Sequence, residues 1–194
     1  MNLQNRIVNI LMKPNEEWPV IADEATDVAT LYKEYIAVMA AIPAICGFLG
    51  VVILGINLPV VGAYRVSISS ALTGMVVQYV LSLAGIYLAA IIIDQLAPNF
   101  QSSGGLIQAL KVVAYGATPS WVAGVLGLIP ALGILGAIAS LYGIYLVYLG
   151  LPPVMKTPPE KVLPFMAVSA VVVVVIFVVI QSVAGMMLEI PRPS

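Results

Sequence analysis

Two charged side chains, Asp94 and Lys111, lie at the end of or inside apolar stretches long enough to cross a membrane. A charge within hydrocarbon costs about 3 kcal/mol on insertion scales and more in simulations, so such a group is usually paired, extended to the headgroups or functional. Both residues lie near a predicted span end rather than at its middle. This position favours a structural ion pair, or a lysine that extends its stem to the headgroups. The mouth of a polar pathway stays open as the alternative.

The third span carries further polar groups near Lys111. Lys111, Tyr115 and Thr118 are spaced so that a helix places them on one face. Pro119 would free a backbone carbonyl one turn earlier, and broken helices with freed carbonyls form ion sites in several transporters. The simpler interpretation is a proline kink that allows close helix packing, and a similar kink is predicted at Pro43.

Polar side chains also recur in the other spans. Tyr142, Tyr145 and Tyr148 repeat every three residues and form a slanting stripe, and Gln78 and Gln181 lie near the middle of their spans. Buried tyrosines usually find a partner across a helix interface, and amides in lipid must be satisfied by neighbouring helices. With the residues of the third span, these groups could form either one buried polar network or a narrow solute pathway.

The composition argues against most catalytic chemistry. The chain has no histidine and one cysteine, so it offers no imidazole base and no cysteine cluster for zinc. It also has no glycine-rich phosphate loop or nucleophile elbow. We therefore predict no catalytic residues, no metal site, no cofactor and no enzymatic activity. The net charge of -1 gives no electrostatic basis for binding nucleic acid.

The same composition predicts the fold class. Apolar residues make up 61% of the chain and charged residues 9%, whereas a soluble domain has about 25% charged residues. Continuously apolar runs such as 171–180 lack the alternation of barrel strands. We predict an all-α integral membrane protein in which five transmembrane helices form a bundle embedded in the lipid bilayer. The run from residue 106 to residue 151 is too long for one crossing and divides at a Gly/Pro-rich turn. The predicted spans are about 35–56, 67–93, 106–126, 131–149 and 162–187.

Residues 1–34 form a segment of different character. Their first apolar residues share one helix face, which predicts a short amphipathic helix in the headgroup plane: Leu3, Ile7, Ile10 and Leu11. Arg6 and Lys13 would then approach the phosphates, and Lys13 with the following proline would end the helix. Trp18 is predicted to be an interfacial anchor. A second amphipathic helix is expected to start near Pro19 and to run through the acidic stretch into the first span.

The basic residues predict the orientation. Five spans with a cytoplasmic N-terminus place most of them inside, as the positive-inside rule requires: Arg6, Lys13, Lys33, Lys156 and Lys161. Only Arg65 and Arg192 would lie outside. We predict a cytoplasmic N-terminus and an external C-terminus.

Three segments resemble a known family. The segment MAAIPAIC at residues 39–46 resembles bacterial YohC-like inner membrane proteins. YGATP at residues 115–119 and LYGIYLVYLGLP at residues 141–152 are similar to the signature of the broader YIP family, which is named for its interaction with Ypt/Rab GTPases. The spacing from Pro14 to Trp18 is also similar to that of the bacterial members. The resemblance covers nearly the whole chain and implies five spans in the bacterial inner membrane.

Two functions are expected from these observations. The first is a non-catalytic protein that organises the membrane or binds a protein partner through residues 1–34 and the connection at 152–161. The second is a small ion or solute transporter or channel, in which the polar groups surround a water-accessible cavity. Small residues four apart could pack the spans within one chain or form a homo-oligomer: Ala123 and Gly127, Gly136 and Ser140, Ala139 and Gly143.

Overall fold

The computed structural model describes residues 2–58, 62–64, 66–129 and 132–187, and most of them are helical. Within these ranges, five helical segments are long and apolar enough to cross a membrane: Val28–Leu54, Ile68–Phe100, Leu106–Leu128, Leu135–Met155 and Pro159–Ile176. The prediction of an all-α, multi-pass membrane protein is confirmed.

Two short helices, together called the N-terminal hairpin, precede the first span. They are α1 (Leu3–Met12) and α2 (Pro14–Asp23). Pro14 occupies the first turn of α2, where a missing N–H loses no helical hydrogen bond. The predicted helix start at Pro19 is therefore wrong, because Pro19 lies inside a helix that has already begun.

The first span begins earlier than its hydropathy suggested. It consists of α3 (Val28–Leu31), a π-helical turn (Tyr32–Ile36) and α4 (Ala37–Leu54), which contains Pro43. The carboxylate of Asp27 accepts the backbone N–H of Thr30 at 2.8 Å and so caps the start. The cap explains why the helix extends beyond the apolar run.

A short β-hairpin, absent from the all-helical prediction, connects the first two spans. Strands β1 (Ile56–Leu58) and β2 (Gly62–Tyr64) pair antiparallel. The second span, α5 (Ile68–Leu96), continues into a 3₁₀ turn (Ala97–Phe100).

The third span is interrupted, and the last two are longer than predicted. The third contains α6 (Leu106–Gly116), α7 (Thr118–Ala123) and a 3₁₀ turn (Gly124–Leu128), so the helix breaks at Ala117, two residues before Pro119. The fourth is α8 (Gly133–Met155) and the fifth is α9 (Pro159–Met187).

The proline-stiffened connection predicted from residue 152 onward is wrong. Pro152 and Pro153 lie inside α8 near its end, where each removes one N–H from the helical hydrogen-bond pattern. Lys156, in the left-handed conformation with φ of 53°, ends the helix. Only residues 156–158 separate α8 from α9.

The buried side chains are concentrated at one end of the bundle. Along α5, the side chains of Tyr87 and Leu88 are exposed, whereas those of Ala89, Ala90 and Ile93 are buried. We call residues 3–40, 89–121 and 142–169 the packed half. The exposed half comprises residues 41–54, 68–88, 122–129, 132–141 and 170–187, and many of its apolar side chains face outward. Helix α6 is buried around most of its circumference and forms the centre of the packed half.

Candidate functional site

Lys111 connects the centre of the packed half to the N-terminal hairpin. Its side chain extends from α6, and the residue is only 2% exposed. The ammonium donates to the carbonyl oxygens of Ile21 and Glu24, both at 2.7 Å, and approaches that of Ala22 at 3.5 Å. Carbonyls at a helix C-terminus lack helical partners and carry partial negative charge, which a lysine can neutralise. Lys111 thus caps α2.

Arg6 links the two helices of the hairpin. Its buried guanidinium pairs with the carboxylates of Glu17 and Glu24 and lies 5.6 Å from the ring centroid of Tyr115. The prediction that Arg6 approaches lipid phosphates is wrong. The turn between α1 and α2 brings Glu17 to Arg6, so the charge is neutralised within the protein.

Trp18 packs α2 against the bundle. The residue is buried, and its ring meets Tyr115 edge-on with the centroids 6.3 Å apart. A Cβ placed on Gly150 of α8 would lie 2.7 Å from Cζ2 of Trp18, so only glycine allows this approach. The indole N–H has no acceptor among the described residues. The predicted interfacial anchor is wrong, because the ring is enclosed by protein.

Tyr142 forms a hydrogen bond with α1, the other helix of the N-terminal hairpin. Its hydroxyl donates to the carbonyl oxygen of Leu11 at 2.7 Å, next to the last residue of α1. Lys111 therefore caps α2, and Tyr142 caps α1, from two different spans. The site is a polar junction between the spans and the N-terminal hairpin.

The remaining predicted residues of the third span lie beneath this junction. Tyr115 and Thr118 are both buried, and the hydroxyl of Thr118 is 2.6 Å from that of Tyr35. The rings of Tyr35 and Tyr115 are 4.5 Å apart. The structure thus brings together Lys111, Tyr115 and Thr118, and adds Tyr35, which was not predicted.

Other predicted residues lie elsewhere. Asp94 is half-buried near the end of α5, and none of the ion pairs among the described residues joins it to Lys111. Gln78 is half-buried on α5, in the exposed half. Tyr145 faces outward, and the side chain of Gln181 lies outside the described part of the chain. The described members of the predicted set are therefore divided between the packed half and the exposed half.

Two small cavities border these residues. One, of about 280 Å³, lies between the first, third and fourth spans and is lined mainly by apolar and small residues, including Pro43, Gly124 and Gly136. The other, of about 210 Å³, lies at the entry to the first span and is lined in part by Glu24, Glu34 and Tyr115. Lys111 and Asp94 line neither of these two. In the described residues, no group of three His, Cys, Asp or Glu could hold a metal ion.

Comparison with known proteins gives a consistent family match. The family model described as the Yip1 domain matches residues 8–181. Inner membrane protein YohC from Escherichia coli strains K12 and CFT073 is 28% identical over 126 residues in both cases. The alignment covers 65% of this chain and 65% of each relative, so the match spans just under two thirds of the relatives' length. No solved structure matches.

Proposed function

This chain belongs to the Yip1 domain family, and from that premise we propose that it is a non-catalytic protein of the bacterial inner membrane that organises the membrane or binds a partner. Its similarity to proteins named inner membrane protein YohC supports the location.

The observation that carries the proposal is the set of hydrogen bonds that Lys111 donates to the N-terminal hairpin. A pathway residue must be able to face water or a solute, whereas the ammonium of Lys111 bonds the carbonyls of Ile21 and Glu24. Tyr115 and Thr118 are similarly enclosed by protein. These contacts support a role in which the polar groups hold the N-terminal hairpin in place.

The orientation we propose places the packed half toward the cytoplasm. Two contacts bring the second and fourth connections to that half: Ser103 N–H donates to Met155 O at 2.7 Å, and Ser102 donates to the Thr157 hydroxyl at 2.9 Å. The cations of the N-terminal hairpin and Lys156 then lie on one side of the bilayer. The positive-inside rule assigns that side to the cytoplasm and the C-terminus to the outside.

A protein partner would meet the outer face of residues 13–34. The inner face is occupied by the contacts of Arg6 and Trp18, but several carboxylates of this segment are exposed: Glu16, Asp23, Asp27 and Glu34. Their charge favours a basic segment as the partner. A second copy of this chain, associating through its spans, is the other partner we consider.

The alternative function is a small ion or solute transporter. The feature that favours it is the break at Ala117 before Pro119, because interrupted helices form ion sites in several transporters. Against it stands the apolar lining of the cavity next to this span.

Ion flux from proteoliposomes separates the two functions. We expect no flux above that of empty vesicles for wild type, Lys111→Met or Asp94→Asn, with exposed Lys156→Met as the matched control. Flux that Lys111→Met and Asp94→Asn abolish in folded protein, and Lys156→Met preserves, would overturn the proposal.

Photo-crosslinking from position 16 tests the partner role, with lipid-facing position 80 as its control. We expect a defined adduct at 16 only, which charge reversal of Asp23 and Asp27 weakens.

A further inference from the structure

We propose that the outer face of α1 and the outward-facing tyrosines of α8 form one lipid-binding surface, which sits in the headgroup region of the leaflet that surrounds the packed half. The surface consists of Val8, Met12, Lys13, Tyr145 and Tyr148. It does not depend on the proposed partner role, because its ligand is the bilayer.

The exposed face of α1 is the first argument. Val8 and Met12 lie four residues apart, hence on one helix face, and are 52% and 76% exposed. The apolar residues predicted to enter lipid pack on the protein instead, and Ile10 among them is fully buried. Val8 and Met12 thus form a small apolar patch on the face of α1 that protein does not cover, and this patch favours a second apolar environment.

The position of this face is the second argument. The bond from the Tyr142 hydroxyl to Leu11 O places the end of α1 against α8, and the ring of Tyr142 is 5.8 Å from that of Tyr145. Tyr145 and Tyr148 are exposed and belong to a membrane span. The end of α1 thus lies beside the outward-facing surface of α8.

The chemistry of the surface is the third argument. Tyrosine rings and lysine stems prefer the headgroup level, where the apolar part is in lipid and the polar tip in water. The side chain of Lys13 is 64% exposed, and its pair with Glu16 at 3.8 Å is solvated and weak, so it can reach a phosphate.

The length of the second span gives a measure of depth along that helix. The exposed ring of Tyr87 is 6.3 Å from that of Tyr32, near the boundary between the packed and exposed halves. From Tyr87 back to Ile68, α5 covers about 20 residues, or about 30 Å. That is the thickness of a bilayer's hydrocarbon core.

Depth-dependent fluorescence quenching tests the surface. The full chain carries Cys46→Ser and one NBD-labelled cysteine, at Val8→Cys or Met12→Cys, in nanodiscs of phosphatidylethanolamine and phosphatidylglycerol. Position Asn15, exposed on α2, is the matched control. We expect lipids with a shallow nitroxide to quench positions 8 and 12 at least threefold more than position 15, and aqueous iodide to show the reverse order.

Two results would overturn the proposal. One is iodide quenching at positions 8 and 12 equal to that at 15. The other is insensitivity of positions 8 and 12 to both quenchers, which would mean that protein covers this face. We also expect nitroxide-lipid quenching at positions 8 and 12 to depend on the phosphatidylglycerol content of the nanodisc. Lys13→Gln should remove this dependence, whereas Lys156→Gln should leave it unchanged. Neither measurement requires a protein partner, so the result is independent of the proposed partner role.

Discussion

The packed and exposed halves are both mainly helical but are stabilised differently. In the packed half, polar side chains join elements far apart in sequence, as when Lys111 reaches Glu24 and Tyr142 reaches Leu11. In the exposed half, several hydroxyls bond their own helix, as when Ser182 donates to Val178 O at 2.8 Å. The contacts that join spans there lie near the boundary with the packed half, as when Tyr79 donates to Ala37 O at 2.9 Å. Lipid is as apolar as leucine, so exposed apolar residues carry no penalty there.

The comparison shows which contacts determine how the helices of this chain are arranged. Spans without cross-linking polar groups can slide or rotate against one another at small cost, because lipid replaces one apolar contact with another. Polar contacts buried between helices have no such substitute and define one arrangement. We therefore expect substitutions of buried polar residues in the packed half to have large effects, and substitutions of outward-facing residues in the exposed half to have small ones.

The largest effect is expected from Arg6→Ala. Removal of the guanidinium leaves the buried carboxylate of Glu17 without its ion pair, and breaking a buried pair in this way costs about 3–5 kcal/mol. The free energy of unfolding in detergent, measured by denaturant titration, should fall by this order. Adding Glu17→Gln and Glu24→Gln should restore much of the loss. Lys13→Ala, whose pair is exposed, is the control and should cost less than about 1 kcal/mol. An equal loss in both single variants would contradict the comparison.

A smaller effect, confined to the N-terminal hairpin, is expected from Lys111→Met. The carbonyls of Ile21 and Glu24 lose their donor, at a cost of about 1–3 kcal/mol. Amide hydrogen exchange should rise several-fold across residues 13–26 and stay unchanged across residues 41–54. Lys156→Met, at an exposed site, should change neither segment. A uniform rise along both segments would show that the two halves unfold as one unit.

The sequence predicted the five spans because a long apolar run has few alternatives to crossing a membrane. It failed for α1 and α2, since amphipathicity identifies an apolar face and not what covers it. Ile10 and Trp18 could face lipid or protein by periodicity alone, and both are buried against protein. The helix starts at Pro14 and after Asp27 were also missed, because a proline in the first turn and the cap of Asp27 set them rather than hydropathy.

The candidate site was predictable only within one helix. The spacing predicts Lys111, Tyr115 and Thr118 on one helix face, because helical periodicity is local, and all three are buried although the helix breaks at Ala117. Their partners, such as Glu24 and Tyr35, are separated from them by more than eighty residues, and no spacing rule connects them. One signal was available: the charge of Arg6 is opposite to those of Glu17 and Glu24, in a chain with few charged residues.

A matched pair of glycines sharpens the comparison further. A Cβ at Gly150 would meet the ring of Trp18 at 2.7 Å, whereas one at Gly136 meets nothing within 4 Å. Gly150→Ala should cost about 1–3 kcal/mol through overpacking. Gly136→Ala should be neutral or should stabilise by up to about 1 kcal/mol, because alanine has the higher helix propensity. Thermal unfolding of both variants in one detergent measures the difference. A similar loss at Gly136 would mean that the face of α8 around this residue is also tightly packed, for instance against a second copy.

The smallest effect is expected from Asp27, which lies in the packed half but in contact with water. The backbone N–H of Thr30, assisted by its side chain, lowers the pKa of Asp27 below its usual range near pH 4. Because the folded pKa is the lower one, the stabilisation is complete above the unfolded value and is lost as the pH falls through the folded value. Asp27→Asn retains a capping side chain without the charge, so the variant should be less stable than wild type at about pH 6. This difference in stability should become smaller as the pH falls to about pH 2. Thermal midpoints at these pH values measure that difference, with and without added salt. Since the carboxylate is fully exposed, salt should reduce the difference at the higher pH. A difference that is large and insensitive to salt would mean that this carboxylate is shielded from water, as Glu17 is.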